Sequence, residues 1–543
     1  MKEQASNNCS PGRSCRLGRA TRRLAAGCVL LILSVSVWGS SGRLWAELAA
    51  WARVAEDIRY LASEELEGRG PGTVGREKAA EYLRDEFARG GLRGGAPDGS
   101  FFQPIEIPLR ATLDEAATRL VLRNPAGEPL ALERELEFQP LAAGGSGRRQ
   151  AELVFAGYGI SAPDLGYDDY QNLDVQDKIV LILRRQPQQQ DADSAFGGAT
   201  PSTHAGIRNK LERAKQQGAA AVLLVNDPFT TERTGSDALV ATPGFGMRSA
   251  GIPLAQLSQA VVERMLETTP VIGPQQQELS SVAEVAAAID QNLQPLSQPL
   301  AGWSAELELV FESTRVPGAN VIGVLEGAGP RAEETVVLGG HYDHLGYGEQ
   351  GSRRPETRAI HPGADDNASG TAVVLDLARR FAAREAPPPR RLVFVAFDGE
   401  ERGLIGSRAY VENPPFPLEN TLAMLNFDMV GRLRENQLTL TGLNTALEFE
   451  SLFQQANETV GLRIRRWDRI SRMSDHYDFY EQGIPVLHFF TGMTDEYHTP
   501  DDTFDTLNMD GVLQITDLAE RFLDLLLAAE SLTFVPREQS GDR

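Results

Sequence analysis

His341, Asp343, Asp365, Asp366, Glu400, Glu401, Asp428, His498 and Asp502 carry side chains that can bind a divalent cation or move a proton. Six of the seven histidines fall between His341 and His498, and the acids recur just after short apolar runs. Two imidazoles with several carboxylates suit a hard-to-borderline cation, and Zn²⁺ takes this nitrogen and oxygen mixture readily. Read singly, each residue has a plainer role. Asp343 can cap a turn, Asp366 can cap the following helix, and Glu400 and Glu401 can be solvated surface. Read together, the pattern favours a metal site.

Such a site needs elements that end close together. From Asn320 onward, apolar strand-like runs alternate with helical patterns: Val321 to Leu325, Thr335 to Leu338, helix Thr371 to Ala383, Leu392 to Phe397, Leu422 to Phe427, Val486 to Phe490 and a closing helix from Val512 to Ala528. This alternation predicts an α/β fold with a mixed, mostly parallel sheet sandwiched by helices. Ligands in open sheets of this kind bind beyond the carboxyl ends of the strands. His341 and Asp343 follow one run, Glu400 and Glu401 another, Asp428 a third, and His498 lies in the loop after Val486 to Phe490. Asp365 and Asp366 occupy the turn Gly363 to Gly370, just before a helix.

The chain is too long, at 543 residues, for one ordinary core. Helical spacing recurs over Val54 to Leu61 and Glu77 to Phe87, around the Gly/Pro-rich Glu67 to Gly72. A different texture runs from about Thr112 to Gly302. It has β-rich runs at Leu153 to Ala156 and Ile179 to Leu183, a helix over Ile207 to Gln217, a strand over Ala219 to Val225, and a polar stretch, Gln186 to Thr203, that reads as a flexible surface loop. The expected organisation is a targeting segment (1–46), N-terminal helices (47–111), an inserted β-rich domain (112–302), the main domain (303–530) and a tail (531–543).

At Gly339-Gly340-His341-Tyr342-Asp343, Gly363 to Gly370, Phe397 to Ser407, Asn426 to Gly431, Ser474-Asp475-His476 and Tyr497 to Thr503, the chain resembles the zinc-dependent exopeptidases with a co-catalytic dizinc site, which include leucyl-type bacterial aminopeptidases and glutamate carboxypeptidases. These blocks span roughly Asn320 to Leu527. The Thr112 to Gly302 block resembles a protease-associated domain, notably at Phe155 to Ile160 and Gly218 to Val222. The resemblance implies two Zn²⁺ ions per chain, with His341 and Asp428 on one, Glu401 and His498 on the other, and Asp366 bridging. It implies that Glu400 is the general base and that Tyr497 donates to the developing oxyanion, buried tyrosine packing being the alternative. Asp343 is expected to orient His341, and Asp502 to orient His498, since ligating histidines donate their other N–H to an acceptor. Asp365 reads as a cap, His476 and His488 as structural, and His344 and His361 as active-site rim.

Three functions remain open: an aminopeptidase, favoured by Asn426 to Gly431; a carboxypeptidase for acidic C-termini, with Arg432, Arg434, Arg463, Arg465, Arg466 and Arg472 as candidate carboxylate binders; and a binding module that has lost catalysis. Peptides or proteins are the expected substrates. A net charge of −22 argues against nucleic acid and anionic lipid. Arg13, Arg16, Arg19, Arg22 and Arg23 precede an apolar run from Leu24 to Trp38, which predicts export to the periplasm or the medium, with an uncleaved membrane anchor as the alternative. All three cysteines lie in or before this segment, so the remainder has neither disulfides nor thiolate ligands.

Overall fold

The structure is a computed structural model that describes residues 48–199, 202–240, 249–348 and 350–536. The expected targeting segment lies outside these residues. Among them, no helix is long and apolar enough to cross a membrane.

The residues that resemble a peptidase build a nine-stranded sheet. Its centre is four parallel strands in the order Arg391–Phe397, Thr335–His341, Thr421–Phe427 and Val486–Phe490. The flanks are antiparallel, through Phe311–Leu325 on one side and Gln437–Thr441 on the other. The sheet is therefore mixed, with its parallel strands gathered where the catalytic candidates emerge.

Alternation along each strand sorts the side chains to two faces. Val336, Leu338, Phe394, Ala396 and Leu425 pack with helices 48–61, Val74–Arg89, Gly370–Ala382, Phe449–Val460 and Met509–Ala528. Val337, Val393, Val395, Phe397 and Met424 face Ile405–Glu412 and His476–Tyr480. Both faces are thus covered, which is why the central strands are apolar at nearly every position.

The chain leaves and re-enters this sheet on neighbours: Phe102–Leu113 and Phe311–Leu325 pair from Phe102↔Val321 to Leu113↔Phe311. Between them an eight-stranded sheet has its own cores. Four of its strands, Gly147–Phe155, Ile179–Leu183, Ala221–Val225 and Leu254–Leu257, run parallel. Helix Ile207–Gln216 covers one face, and Gln259–Thr268 and Val282–Asn292 the other. Strand Gln298–Leu309 crosses the expected boundary at 302/303 yet pairs wholly within this second sheet. Within the stretch expected to be a flexible surface loop, residues 186–199 are anchored. Phe196 is buried beside Tyr167, and the buried Gln186 amide donates to the Phe196 and Gly198 carbonyls.

Candidate metal centre

The site assembles where the parallel strands end. Thr335–His341 delivers His341, Thr421–Phe427 leads straight into Asp428, and the short helical turn Glu400–Arg402 follows Arg391–Phe397. The turn that carries Asp366 starts at Gly363, whose φ of +57° places the backbone in the left-handed region.

One carboxylate links two groups of donors. Oδ1 of Asp366 lies 3.2 Å from His341 Nε2, which is itself 3.4 Å from Asp428 Oδ1. Oδ2 of Asp366 lies 3.1 Å from His498 Nε2, which is 3.3 Å from Glu401 Oε1. All five expected ligands therefore converge, and His344 joins the second group, its Nδ1 2.8 Å from Glu401 Oε1.

The surrounding hydrogen bonds hold loops against one another. Asn367 Nδ2 donates to the Phe427 carbonyl, while its Oδ1 accepts from Gly370 and Met429 N–H. Gly431 N–H donates to Asp365 at 2.7 Å, so Asp365 ties the Asp366 turn to the Asp428 loop and does not cap the helix. Arg432 is buried among Asp365, Glu496 and Asp502.

The roles expected of Asp343 and Asp502 also need correction. The carboxylate of Asp343 stands 3.6 Å from His341 Nδ1, which meets the Asp343 carbonyl at 3.1 Å. That carboxylate instead accepts the backbone N–H groups of Glu400 and Glu401. Asp502 likewise does not orient His498, whose Nδ1 donates to the Gly351 carbonyl at 2.9 Å. Its two oxygens take the backbone N–H groups of Asp365 and Asp366. Each acid thus clamps a dipeptide that carries site carboxylates, because adjacent N–H groups of a tight turn converge on one acceptor.

The remaining histidines divide. His344 and His361 are both fully buried rather than at the rim, and Ser352 and the Ala359 carbonyl hold the His361 ring. His476 and His488 stack at 4.5 Å in the interior, and burial pushes His488 down to about 4. The Tyr497 ring stacks on His498 at 3.7 Å; burial, then the carboxylates of Asp366, Glu401 and Glu400, push its phenol pKa up.

Packing so many acids together is costly without positive charge. Burial and the neighbouring Glu401, Asp428 and Asp475 push the Glu400 carboxyl well above its ordinary range. Burial would raise Asp366 too, but the imidazoles of His341 and His498 hold it well below. His498 moves up to about 11, the Glu401 and Asp366 carboxylates outweighing the burial that opposes the shift. Several donor atoms here are buried without a hydrogen-bond partner: Asp428 Oδ1, Glu401 Oε1 and both ring nitrogens of His344. Orphaned polar atoms are rare in folded proteins. Their convergence, with donors of one group within 4.8 Å of each other, fits a cation bound by nitrogen and oxygen ligands.

Residues 320–523 match Peptidase family M28, and residues 142–265 match the PA domain. Over these residues the chain is similar to that peptidase family, with a PA-like segment ahead of it, and the chain is a metallopeptidase. Among its relatives, Aminopeptidase YwaD from Bacillus subtilis (strain 168) is 26% identical over 87% of this chain and 84% of its own length. A probable zinc metalloprotease from Pyrenophora tritici-repentis is 31% identical over 31% of this chain and 45% of its own. Among solved structures, the aminopeptidase from Aneurinibacillus sp. strain AM-1 aligns with a TM-score of 0.47 at 20% identity, covering 90% of this chain and 95% of that one.

Proposed function

We propose that the chain is a dizinc aminopeptidase that releases N-terminal residues from peptides or proteins. The observation that carries this reading is the Asp366 carboxylate, whose two oxygens face two separate donor groups. His341 and Asp428 would hold one zinc, Glu401 and His498 the other, and Asp366 both. The relatives, an aminopeptidase and a probable zinc metalloprotease, support the metal and the substrate class. When bound, such a pair of ions supplies Lewis acidity toward the peptide carbonyl and the attacking water.

The chain's own residues supply the proton transfers. Glu400 takes a proton from the attacking water and delivers it to the departing amine as the carbon–nitrogen bond breaks. Glu400 lies next to Glu401 but outside both donor groups, which leaves its carboxylate free to accept and release that proton. Asp343 fixes the Glu400 backbone, so the carboxylate keeps one position through both transfers. Tyr497 retains its phenolic proton and donates it as a hydrogen bond to the developing oxyanion. The carboxypeptidase reading is weakened because Arg432, one of its candidate carboxylate binders, is already enclosed by three acids.

The test is an exopeptidase assay on free and N-blocked peptides, with and without chelator. Cleavage that requires a free α-amine and disappears with chelator supports the reading; C-terminal cleavage of N-blocked peptides, or inertness with zinc loaded, refutes it. We also propose export, on the arginine-rich and apolar N-terminal segment. Fractionation that leaves the full-length chain in the cytoplasm would exclude it.

A further inference from the structure

We propose that His344 is a sixth protein ligand, so that the second ion is held by His344, Asp366, Glu401 and His498. This deepens the two-zinc reading and rests on it. The resemblance that assigns the other five ligands gives His344 no such part.

His344 has no exposed surface, and neither ring nitrogen has a hydrogen-bond partner. Its Nδ1 nevertheless lies 2.8 Å from Glu401 Oε1, which is also without a partner. That contact also serves as a hydrogen bond when the ring is protonated at Nδ1, but with a cation present the same two atoms can both turn their lone pairs toward it. A neutral imidazole nitrogen and a carboxylate oxygen are both ordinary zinc donors.

The spacing supports the same conclusion. With the attacking water as a further ligand the ion would be five-coordinate, and zinc bonds of about 2.0–2.2 Å then put neighbouring donors about 2.8–3.8 Å apart. Here Asp366 Oδ2 and His498 Nε2 are 3.1 Å apart, and His498 Nε2 and Glu401 Oε1 are 3.3 Å apart. His344 Nδ1 stands 2.8 Å from Glu401 Oε1 and 4.0 Å from Asp366 Oδ2. The three shorter separations fall in that range, the fourth lies just beyond it, and the four donor atoms all fall within 4.8 Å of one another. The two imidazoles meet edge to face, at 74° with centroids 5.6 Å apart, which lets both nitrogens approach one point without ring overlap.

The fold brings His344 to that point. Its N–H donates to the Arg69 carbonyl, and the Arg69 guanidinium donates to the Pro362 and Gly363 carbonyls, which ties the segment after His341 to the start of the Asp366 turn. The turn closes over the ring at Gly363, where a Cβ would stand 2.6 Å from His344 Cδ2. Four protein donors at the second position, against His341, Asp366 and Asp428 at the first, make the two ions unequal. The second ion is the tighter and leaves last.

The test is zinc competition with a chromophoric chelator, comparing the full chain with His344→Ala and checking the fold by circular dichroism. We expect two ions of unequal affinity in the unaltered protein, and His344→Ala to weaken the tighter one by more than about 100-fold. Removing a residue that merely orients a ligand costs roughly 10- to 100-fold. A loss within that range, or none, overturns coordination by His344 while leaving the two-zinc reading intact. Fewer than two ions in the unaltered protein refutes the two-zinc reading itself. If His344→Ala does not fold, a zinc-loaded crystal of the unaltered chain decides. An Nδ1–zinc distance of about 2.0–2.1 Å supports coordination, and a ring turned away from the ion overturns it.

Discussion

Two buried charged networks lie in the two halves of this chain, and their hydrogen bonds differ in kind. In the PA-containing insert, Asp169 is fully buried, but its Oδ2 accepts from Tyr158 and Ile160 N–H and its Oδ1 from the Tyr167 hydroxyl. Lys210, equally buried, donates to the Tyr158 and Leu183 carbonyls and is drawn toward Asp169 and Asp227. Burial pushes the Asp169 carboxyl up to about 7 and the Lys210 amine down to about 7, each resisting the charge the other compensates. The protein balances this network from its own donors. In the catalytic half, acids outnumber cations, and the orphaned atoms of Asp428, Glu401 and His344 converge on two points. A satisfied buried network reads as architecture, and an unsatisfied one as a place for an ion.

That contrast can be broken at either end, starting with the largest effect. Glu400→Gln should lower kcat by about 10²- to 10⁴-fold, the usual contribution of a general base, while zinc content stays unchanged. Metal analysis beside turnover checks it, and lost zinc would mean that Glu400 is a ligand. Lys210→Met should leave the buried Tyr158 and Leu183 carbonyls without their donor and destabilise the insert by about 1–3 kcal/mol, the cost of a buried unsatisfied acceptor. Denaturant melts would measure this. Zinc content should not follow, and a parallel loss would mean that the two networks are one.

Asp502→Asn should weaken zinc binding by about 10- to 100-fold, because the carboxylate that fixes the Asp365 and Asp366 backbone loses half its acceptors. Competitive titration reads that change, and an unaltered affinity would make the clamp dispensable. The smallest effect belongs to the contact between the halves. Arg472 meets Glu212 of helix Ile207–Gln216 at 3.2 Å, with both side chains partly exposed, and donates to the Gly403 carbonyl just beyond Glu401. Glu212→Ala should cost under about 1 kcal/mol and leave kcat/KM within twofold. A tenfold change would make this bridge the route by which the insert governs the site.

The sequence made the central strands legible because each is buried on both faces and shows as an unbroken apolar run, as in Leu392 to Phe397. The edge strand Arg463–Trp467 was not legible, since its arginine-rich face meets solvent and leaves no periodic apolar signal. The polar Gln186 to Thr203 stretch concealed one anchoring aromatic, Phe196, and a buried glutamine. At the site, acids and histidines following the apolar runs were legible as a metal-binding pattern, and the resemblance implied which five of them are ligands. The true targets of Asp343 and Asp502 were not, because backbone N–H groups carry no side-chain signature. His344 was read as active-site rim, and its burial was not legible because it depends on how the Gly363 turn closes over it.

The most direct test of the account is anomalous diffraction at the zinc edge from crystals of the full chain. We predict two peaks on either side of the Asp366 carboxylate, one beside His341 and Asp428 and the other beside Glu401 and His498. A single peak, or peaks away from Asp366, would contradict it.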